Sequence, residues 1–225
     1  MERLLVVGGS GFIGRWICRQ AVRDGYDVRS ISRGGRPDAS ELQGMPGRTE
    51  WVKAVEWTSA DLFSPHAWRD RLRGVDAVIH AVGIASEAPT EGVTFERLNG
   101  DAAILTALEA ERAGTDTFVF LSAAANFPTA RQEYIRSKRR AERAIAELNF
   151  DVVVLRPGPV YGPNQPHMPG IVNRLCAIVD SLPEIPERLG NARPLAVDHV
   201  ARVALDAAAD PSQRLLTIEE IAAHQ

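Results

Sequence analysis

"RLLVVGGSGFIG", residues 3–14, decides how the chain is read. An aliphatic run of this length, broken abruptly by glycine, reads as a strand buried on both faces. Gly8, Gly11 and Gly14 fall at a GxxGxxG spacing, and residues 9–14 also read as GxGxxG. Glycine at the end of a strand allows a tight turn and lets the backbone approach a phosphate closely. The amphipathic stretch from Gly11 to about Asp24 then points free N–H groups and the positive end of a helix dipole at that turn. Strand, turn and helix in this order point to a dinucleotide, with Gly8, Ser10, Gly11, Phe12, Ile13 and Gly14 as candidate pyrophosphate contacts. The plainer alternative is a glycine-rich turn that holds nothing, and the rest of the chain weighs against it.

Further apolar runs follow at 26–32 ("YDVRSIS"), 51–57 ("WVKAVEW"), 76–82 ("DAVIHAV"), 117–123 ("TFVFLSA") and 151–157 ("DVVVLRP"). Helical patterns separate several of them, notably 95–113 and 134–148. The alternation predicts an α/β fold, a Rossmann-type doubly wound parallel sheet covered on both faces. Past Gly162 the chain becomes proline-rich, with helical patterns in "GIVNRLCAIV" and "DHVARVALDAAA". With no clean linker, residues 1–225 are expected to form one domain. Residues 1–162 would be its cofactor-binding core and 163–225 a small cap on the substrate side.

Composition narrows the function. The 225 residues carry a formal net charge of −3, which argues against a nucleic-acid partner. No apolar run approaches the roughly 18 residues of a membrane span. The run after "MER" is too short for a signal peptide, so a cytoplasmic protein is expected. Neither the two cysteines, Cys18 and Cys176, nor the five histidines show metal-ligand spacing. A small-molecule substrate is the partner expected, with oligomeric state left open.

Cofactor choice is read at the end of the second strand. An acid there bonds the ribose 2′-hydroxyl of NAD. Here the residues are "SISRGGR", so Ser32 and Arg33 head the site, and Arg33 with Arg36 offers planar cations to a 2′-phosphate. NADP(H) is therefore favoured over NAD(H), against the alternative of two arginines in an exposed loop.

Tyr134 and Lys138, in "EYIRSKRRAER", stand four apart on one helix face. An ammonium beside a phenol favours the phenolate and suits the tyrosine to move a proton while hydride is transferred. Only Lys53 and Lys138 are lysines among 26 basic residues, and there are three tyrosines. Chance would produce this spacing in about 3% of shuffled chains. The neighbouring arginines 136, 139, 140 and 143 read as a solvated face.

On these motifs the chain resembles the short-chain dehydrogenase/reductase superfamily, in its extended or atypical branch of NAD-dependent epimerase/dehydratase-like proteins. "VVGGSGFIG", "DAVIHAVG", "YIRSK", "LRPGPVYGP" and "PLAVDHVA" carry the likeness. Within the branch, "ICRQAVRDGYDVRSISRGG" and "LTIEEI" look closest to mitochondrial proteins linked to coenzyme Q synthesis and to a complex I accessory subunit. The resemblance implies that Asp61 and Leu62 of "SADL" approach the adenine. It places Ala81, Val82 and Gly83 by the nicotinamide ribose, with Asn99 in the next helix, and Pro157 bordering the nicotinamide. Tyr134 and Lys138 become the catalytic pair, with Lys138 also bonding the ribose. The usual catalytic Ser or Thr after the fifth strand falls on Ala123 of "FLSAAANFP", with Ser122 next to it. Ser122 is either a shifted hydroxyl donor or a strand-end serine satisfied by backbone. His80 is expected to be buried and bonded to backbone.

These readings lead to an NAD(P)-dependent oxidoreductase acting on a small, hydrophobic or quinone-like carbonyl or hydroxyl compound. Two alternatives stand beside it. One is a catalytically weak NADP(H)-binding accessory or sensor of a quinone-related assembly. The other is a sugar-nucleotide epimerase or dehydratase, for which the part after Gly162 is short.

Overall fold

The computed structural model describes residues 2–47, 49–125, 131–182 and 188–224. Its main sheet has seven strands, all parallel, in the order β3-β2-β1-β4-β5-β6-β9. They are β1 (Arg3–Val7), β2 (Asp27–Ser32), β3 (Glu56–Ser59), β4 (Ala77–His80), β5 (Thr117–Leu121), β6 (Asp151–Leu155) and β9 (Leu215–Leu216). β7 (Val160–Tyr161) and β8 (Leu195–Ala196) form a separate parallel pair. The α/β Rossmann-type architecture read from the sequence is the one observed.

Period-2 alternation sorts each strand's side chains between two cores. Leu4, Val6, Ile79, Val119, Leu121, Val153 and Leu155 face one side. There they meet Ile17 and Ala21 of α1 (Gly14–Arg23) and Val200, Val203 and Ala204 of α6 (Val197–Ala209). Leu5, Val7, Val78, Phe118, Phe120 and Val154 face the other side. Their partners include Ala103, Ala107 and Ala110 of α3 (Ala102–Ala113) and Ala141 and Ile145 of α4 (Gln132–Ala146). The small α3 face leaves room for the two phenylalanines, which is how a close-packed layer forms without voids.

Register aligns the strand ends. Val7 pairs with Ile31 and His80, His80 with Phe120, and Phe120 with Val154. The loops that follow β1, β2, β4, β5 and β6 therefore open on one edge. The connections diverge between β1 and β4, the switch point where such sheets form a crevice.

Two expectations change. Residues 51–57 are not one strand: Trp51–Ala54 is a helical turn, α2, and β3 starts at Glu56. Trp51, Val52 and Val55 are the buried residues, which suits a helical face better than a period of two, and the Trp57 indole closes the turn on the Val52 carbonyl at 2.8 Å. The segment past Gly162 is not all cap. α6 packs on the sheet, and β9 extends it beside β6. What stands outside the sheet layers is 163–182, where α5 (Gly170–Asp180) buries no residue and exposes Ile171, Leu175 and Ile178. A final short helix, α7 (Ile218–Ala223), closes the chain.

Candidate active site

The glycine turn is built so that side chains have no room. Gly8 has φ +89, and a Cβ on it would lie 2.9 Å from Val82 Cγ2. A Cβ on Gly14 would collide with the Gly8 carbonyl. The Gly8 N–H is held by the Ile31 carbonyl at 2.7 Å, and its carbonyl accepts from Gly11 N–H at 2.9 Å. α1 starts at Gly14; Arg15 N–H is already bonded to the Gly11 carbonyl at 3.1 Å and Trp16 N–H to the Ile13 carbonyl at 3.0 Å, so the turn that leads into the helix, with the positive end of its dipole, faces the cradle. This is a cradle that a Cβ would fill, and it fits a pyrophosphate.

At the β2 end, Ser10 Oγ donates to Ser32 Oγ at 2.9 Å, and Ser32 Oγ donates in turn to the Gly35 carbonyl at 2.9 Å. Arg33 and Arg36 are exposed, and neither guanidinium has a partner among the described residues. Asp61 is exposed in the turn after β3, where its carboxylate accepts the Phe63 N–H at 3.1 Å. Leu62 is buried beneath it, and the Trp68 indole donates to its carbonyl at 3.1 Å.

The other end is dry. Lys138 is buried, and its Nζ donates to the carbonyls of Leu121 at 2.9 Å and Val82 at 3.4 Å, just past β4. It lies 4.9 Å from the Phe120 ring centroid. A Cβ on Gly83 would stand 3.2 Å from this ammonium and 3.1 Å from Asn99 Oδ1. Asn99 is fully buried in a π-helical turn, Glu96–Asp101. Its side chain grips Ile84 twice, accepting the N–H at 2.8 Å and donating to the carbonyl at 3.1 Å. Irregular turns of this type concentrate at functional sites. Tyr134, one turn before Lys138, is half-buried with its ring edge-on to Phe95 at 5.6 Å. Pro157 is buried, and its carbonyl accepts Ala124 N–H at 2.8 Å.

Burial sets the charges at this end. It draws Lys138 down to about 7, with the Glu142 carboxylate pulling the other way. It holds the Tyr134 phenol up at about 12, against the charge of Arg139. The expected depression of the phenol by Lys138 is therefore not what this arrangement gives. A lysine that has lost its proton by then has no charge with which to stabilise a phenolate. His80 is buried as expected but not bonded to backbone. Both ring nitrogens lack partners among the described residues, and burial, then the Lys138 charge, lowers it to about 3.

Ser122 departs furthest from expectation. Its hydroxyl donates to the buried Glu142 carboxylate and accepts from Arg139 at 3.1 Å. Arg139 also bonds the Ala123 carbonyl at 2.8 Å, and Arg156 clamps Glu142. The hydroxyl is thus committed to an ion-pair network and is not a free donor beside the phenol. Ala123 and Ala124 are buried and supply none either. The end of the "FLSAAANFP" segment lies outside the described residues.

The profile of the NAD dependent epimerase/dehydratase family matches residues 4–182, which takes in the cradle, Lys138 and Pro157. The chain belongs to this family. Among curated relatives, MIOREX complex component 2 of Saccharomyces cerevisiae is 31% identical over 204 residues, covering 70% of this chain and 72% of that one. Ceramide reductase of Caulobacter vibrioides is 29% identical over 168 residues, 74% of this chain but only 49% of that protein. The chain spans about half the length of several relatives of this kind. Among solved structures, MoeE5 in complex with UDP-glucose and NAD superposes with a TM-score of 0.69 at 21% identity, covering 96% of this chain and 75% of that one. A UDP-glucuronic acid 4-epimerase of Bacillus cereus with NAD gives 0.69 at 17%, covering 96% and 76%. Family members are NAD-dependent oxidoreductases and epimerases, and among the described residues no helix is long and apolar enough to cross a membrane.

Beside these family features stand residues that the sequence reading passed over. Arg139, Glu142 and Arg156 looked like solvated or unremarkable positions, yet the spacing Lys138-x-x-x-Glu142 already put the carboxylate on the lysine's face. Arg15 is buried at the start of α1, with Nη2 on the Asn164 carbonyl at 3.0 Å. Nothing local marked Asn164, whose partners lie more than 100 residues away.

Proposed function

We propose that the protein is an NADP(H)-dependent reductase of a small apolar carbonyl compound, quinone-like in character. The observation that carries this reading is Lys138, buried against Gly83 between the ends of β4 and β5, one turn from Tyr134. The cradle of Gly8, Gly11 and Gly14 would hold the pyrophosphate. Arg33 and Arg36 would meet a 2′-phosphate, Asp61 and Leu62 would border the adenine, and Ala81, Val82, Gly83 and Pro157 would flank the nicotinamide. Once bound, the nicotinamide supplies hydride to the carbonyl carbon. Tyr134, held protonated by burial, gives its proton to the carbonyl oxygen. Lys138, near 7, can restore that proton at neutral pH and bond the ribose. The names of two relatives, ceramide reductase and vestitone reductase, are those of reductases. The exposed face of α5, Ile171, Leu175 and Ile178, offers apolar surface on the segment expected to cap the substrate.

A second reading has its own observation. Ser122 is tied into the Glu142 network and positions 123 and 124 are alanine, so among the described residues after β5 no hydroxyl is left free to serve as a donor beside the phenol. An NADP(H)-binding accessory protein with weak chemistry fits that loss, which costs about 10²–10³ in turnover where such a donor normally acts.

One assay separates them. NADPH bound by the protein is offered a panel of quinones, aldehydes and ketones, and oxidation is followed by absorbance. Turnover that falls about 10²–10⁴-fold in Tyr134→Phe, with NADPH affinity unchanged, supports the reductase. Bound NADPH that no acceptor oxidises supports the accessory role. The compartment is decided separately by fractionation of cells expressing a tagged chain. The sequence reading gives the cytoplasm, whereas two relatives are named for the mitochondrion and the chloroplast.

A further inference from the structure

Two loops that belong to opposite ends of the crevice are tied together by one side chain. The loop after β2 carries Arg33 and Arg36 and continues into a turn at 38–44. That turn is organised locally: Asp38 Oδ1 accepts from Ser40 N–H at 2.8 Å and Glu41 N–H at 3.1 Å, and Glu41 returns a bond to Asp38 N–H at 2.8 Å. Three of its carbonyls are collected by Asn164. The Asn164 amide donates to the carbonyls of Ser40 at 3.3 Å, Glu41 at 3.2 Å and Gln43. Asn164 follows β7 and leads towards α5. Its backbone is left-handed, φ +58, and it is the single non-glycine residue with positive φ among the described residues. Asparagine tolerates this conformation better than most residues, but it still costs free energy. Behind it, buried Arg15 donates to the Asn164 carbonyl at 3.0 Å. Next to it, Pro163 packs where Gly44 has no side chain, 3.2 Å from the site of a Cβ. The strap so formed passes over the first turn of α1, and Gly162 lies against Phe12 of the glycine turn.

We propose that Asn164 is a positioning residue for cofactor choice: by pinning the 38–44 turn it fixes the loop that presents Arg33 and Arg36 to a ribose 2′-phosphate. Neither guanidinium has a partner among the described residues; the Arg33 backbone is held by Ser59 Oγ, which donates to its carbonyl at 2.9 Å, whereas the stretch from Arg36 into the 38–44 turn depends on where that turn is anchored. The anchor at the far end of that loop is the Asn164 amide. A loop already fixed loses less conformational freedom when the phosphate binds, and that gain is absent for a cofactor without the phosphate. The inference rests on the NADP(H) reading and adds to it a residue some 130 positions downstream of the arginines.

The test is calorimetric titration of NADPH and NADH into the wild-type protein, Asn164→Gly, Asn164→Asp and Arg33→Ala. Glycine keeps the left-handed backbone and removes only the amide, so the fold survives, and a thermal melt checks this. Aspartate turns a donor to three carbonyls into an acceptor that repels them. Expected is an NADPH preference in the wild type, with NADPH affinity about tenfold weaker in Asn164→Gly, more so in Asn164→Asp, and NADH affinity within about twofold of wild type. A merely structural role would weaken both cofactors alike and leave the ratio unchanged, and that result overturns the proposal while sparing the NADP(H) reading. Equal affinities in the wild type, or an Arg33→Ala variant with unchanged ratio, overturn that reading and the role of Asn164 with it.

Discussion

The crevice has a wet end and a dry end, and they do different work. At the wet end Arg33 and Arg36 stand exposed and Asp61 faces solvent. At the dry end Lys138, Asn99, His80 and Glu142 are buried, and desolvation has moved the lysine to about 7 and the histidine to about 3. Exposed charges act through water, so recognition there is weakened by salt and adjusted by loop position. Buried charges are screened far less, so reactivity at the dry end follows pH and packing. One fold thereby separates holding a cofactor from setting the proton chemistry beside it.

The sharpest way to break this division is at the cradle that joins the two ends. Gly14→Val sets a branched side chain against the backbone carbonyl of Gly8, which has no flexible side-chain atom to yield. NADPH affinity is expected to fall by at least about 100-fold in calorimetry. Far-UV circular dichroism checks that the sheet, to which the turn is tied through Gly8 N–H and the Ile31 carbonyl, survives the clash. Retained affinity would mean that the diphosphate rests elsewhere.

The dry end predicts a pH signature. Lys138 binds its proton with a pKa of about 7 when folded against 10.5 as a free side chain. Between those values the unfolded chain holds a proton that the folded chain has released, so stability rises with pH across that window. Below about 7 both states are protonated, and the cost of burying the ammonium is present in full. Tyr134 acts in the opposite sense, but only above its ordinary 10, because its folded pKa is raised to about 12. Urea titrations of wild type and Lys138→Met from pH 6 to 10 isolate the lysine. The difference in unfolding free energy should be flat near pH 6 and then shift in favour of the wild type by up to about 1.4 kcal/mol per pH unit. A difference that does not vary with pH would place the ammonium in water.

Legibility followed the range of the interactions. The sheet was readable because aliphatic runs report burial residue by residue, and Gly8, Gly11 and Gly14 report a turn through their own sterics. The run at 51–57 misled because Trp51, Val52, Val55 and Trp57 serve a strand pattern and a helical turn almost equally, and tertiary packing chose. Tyr134 and Lys138 were visible as a spacing, but the direction of their pKa shifts was not, since that depends on what covers them. Asn164 was invisible because its meaning lies in carbonyls at 40–43, which no local pattern connects to it.

The smallest effect is expected at Ser122, and it separates the two readings of that residue. A substrate donor lost from the dry end would lower turnover by about 10²–10³-fold. The hydroxyl is instead bonded to Glu142, which keeps Arg139 and Arg156 whatever happens to the serine. Ser122→Ala should therefore leave NADPH oxidation within about twofold of wild type. It should still destabilise the fold, because a buried hydrogen bond to a charged group is worth about 1.5–3 kcal/mol, read as a lower denaturation midpoint. The two measurements move independently: stability reports the ion-pair network and turnover reports the phenol's surroundings. A large fall in turnover with stability intact would return Ser122 to the reacting centre and draw the dry end one helical turn further along α4.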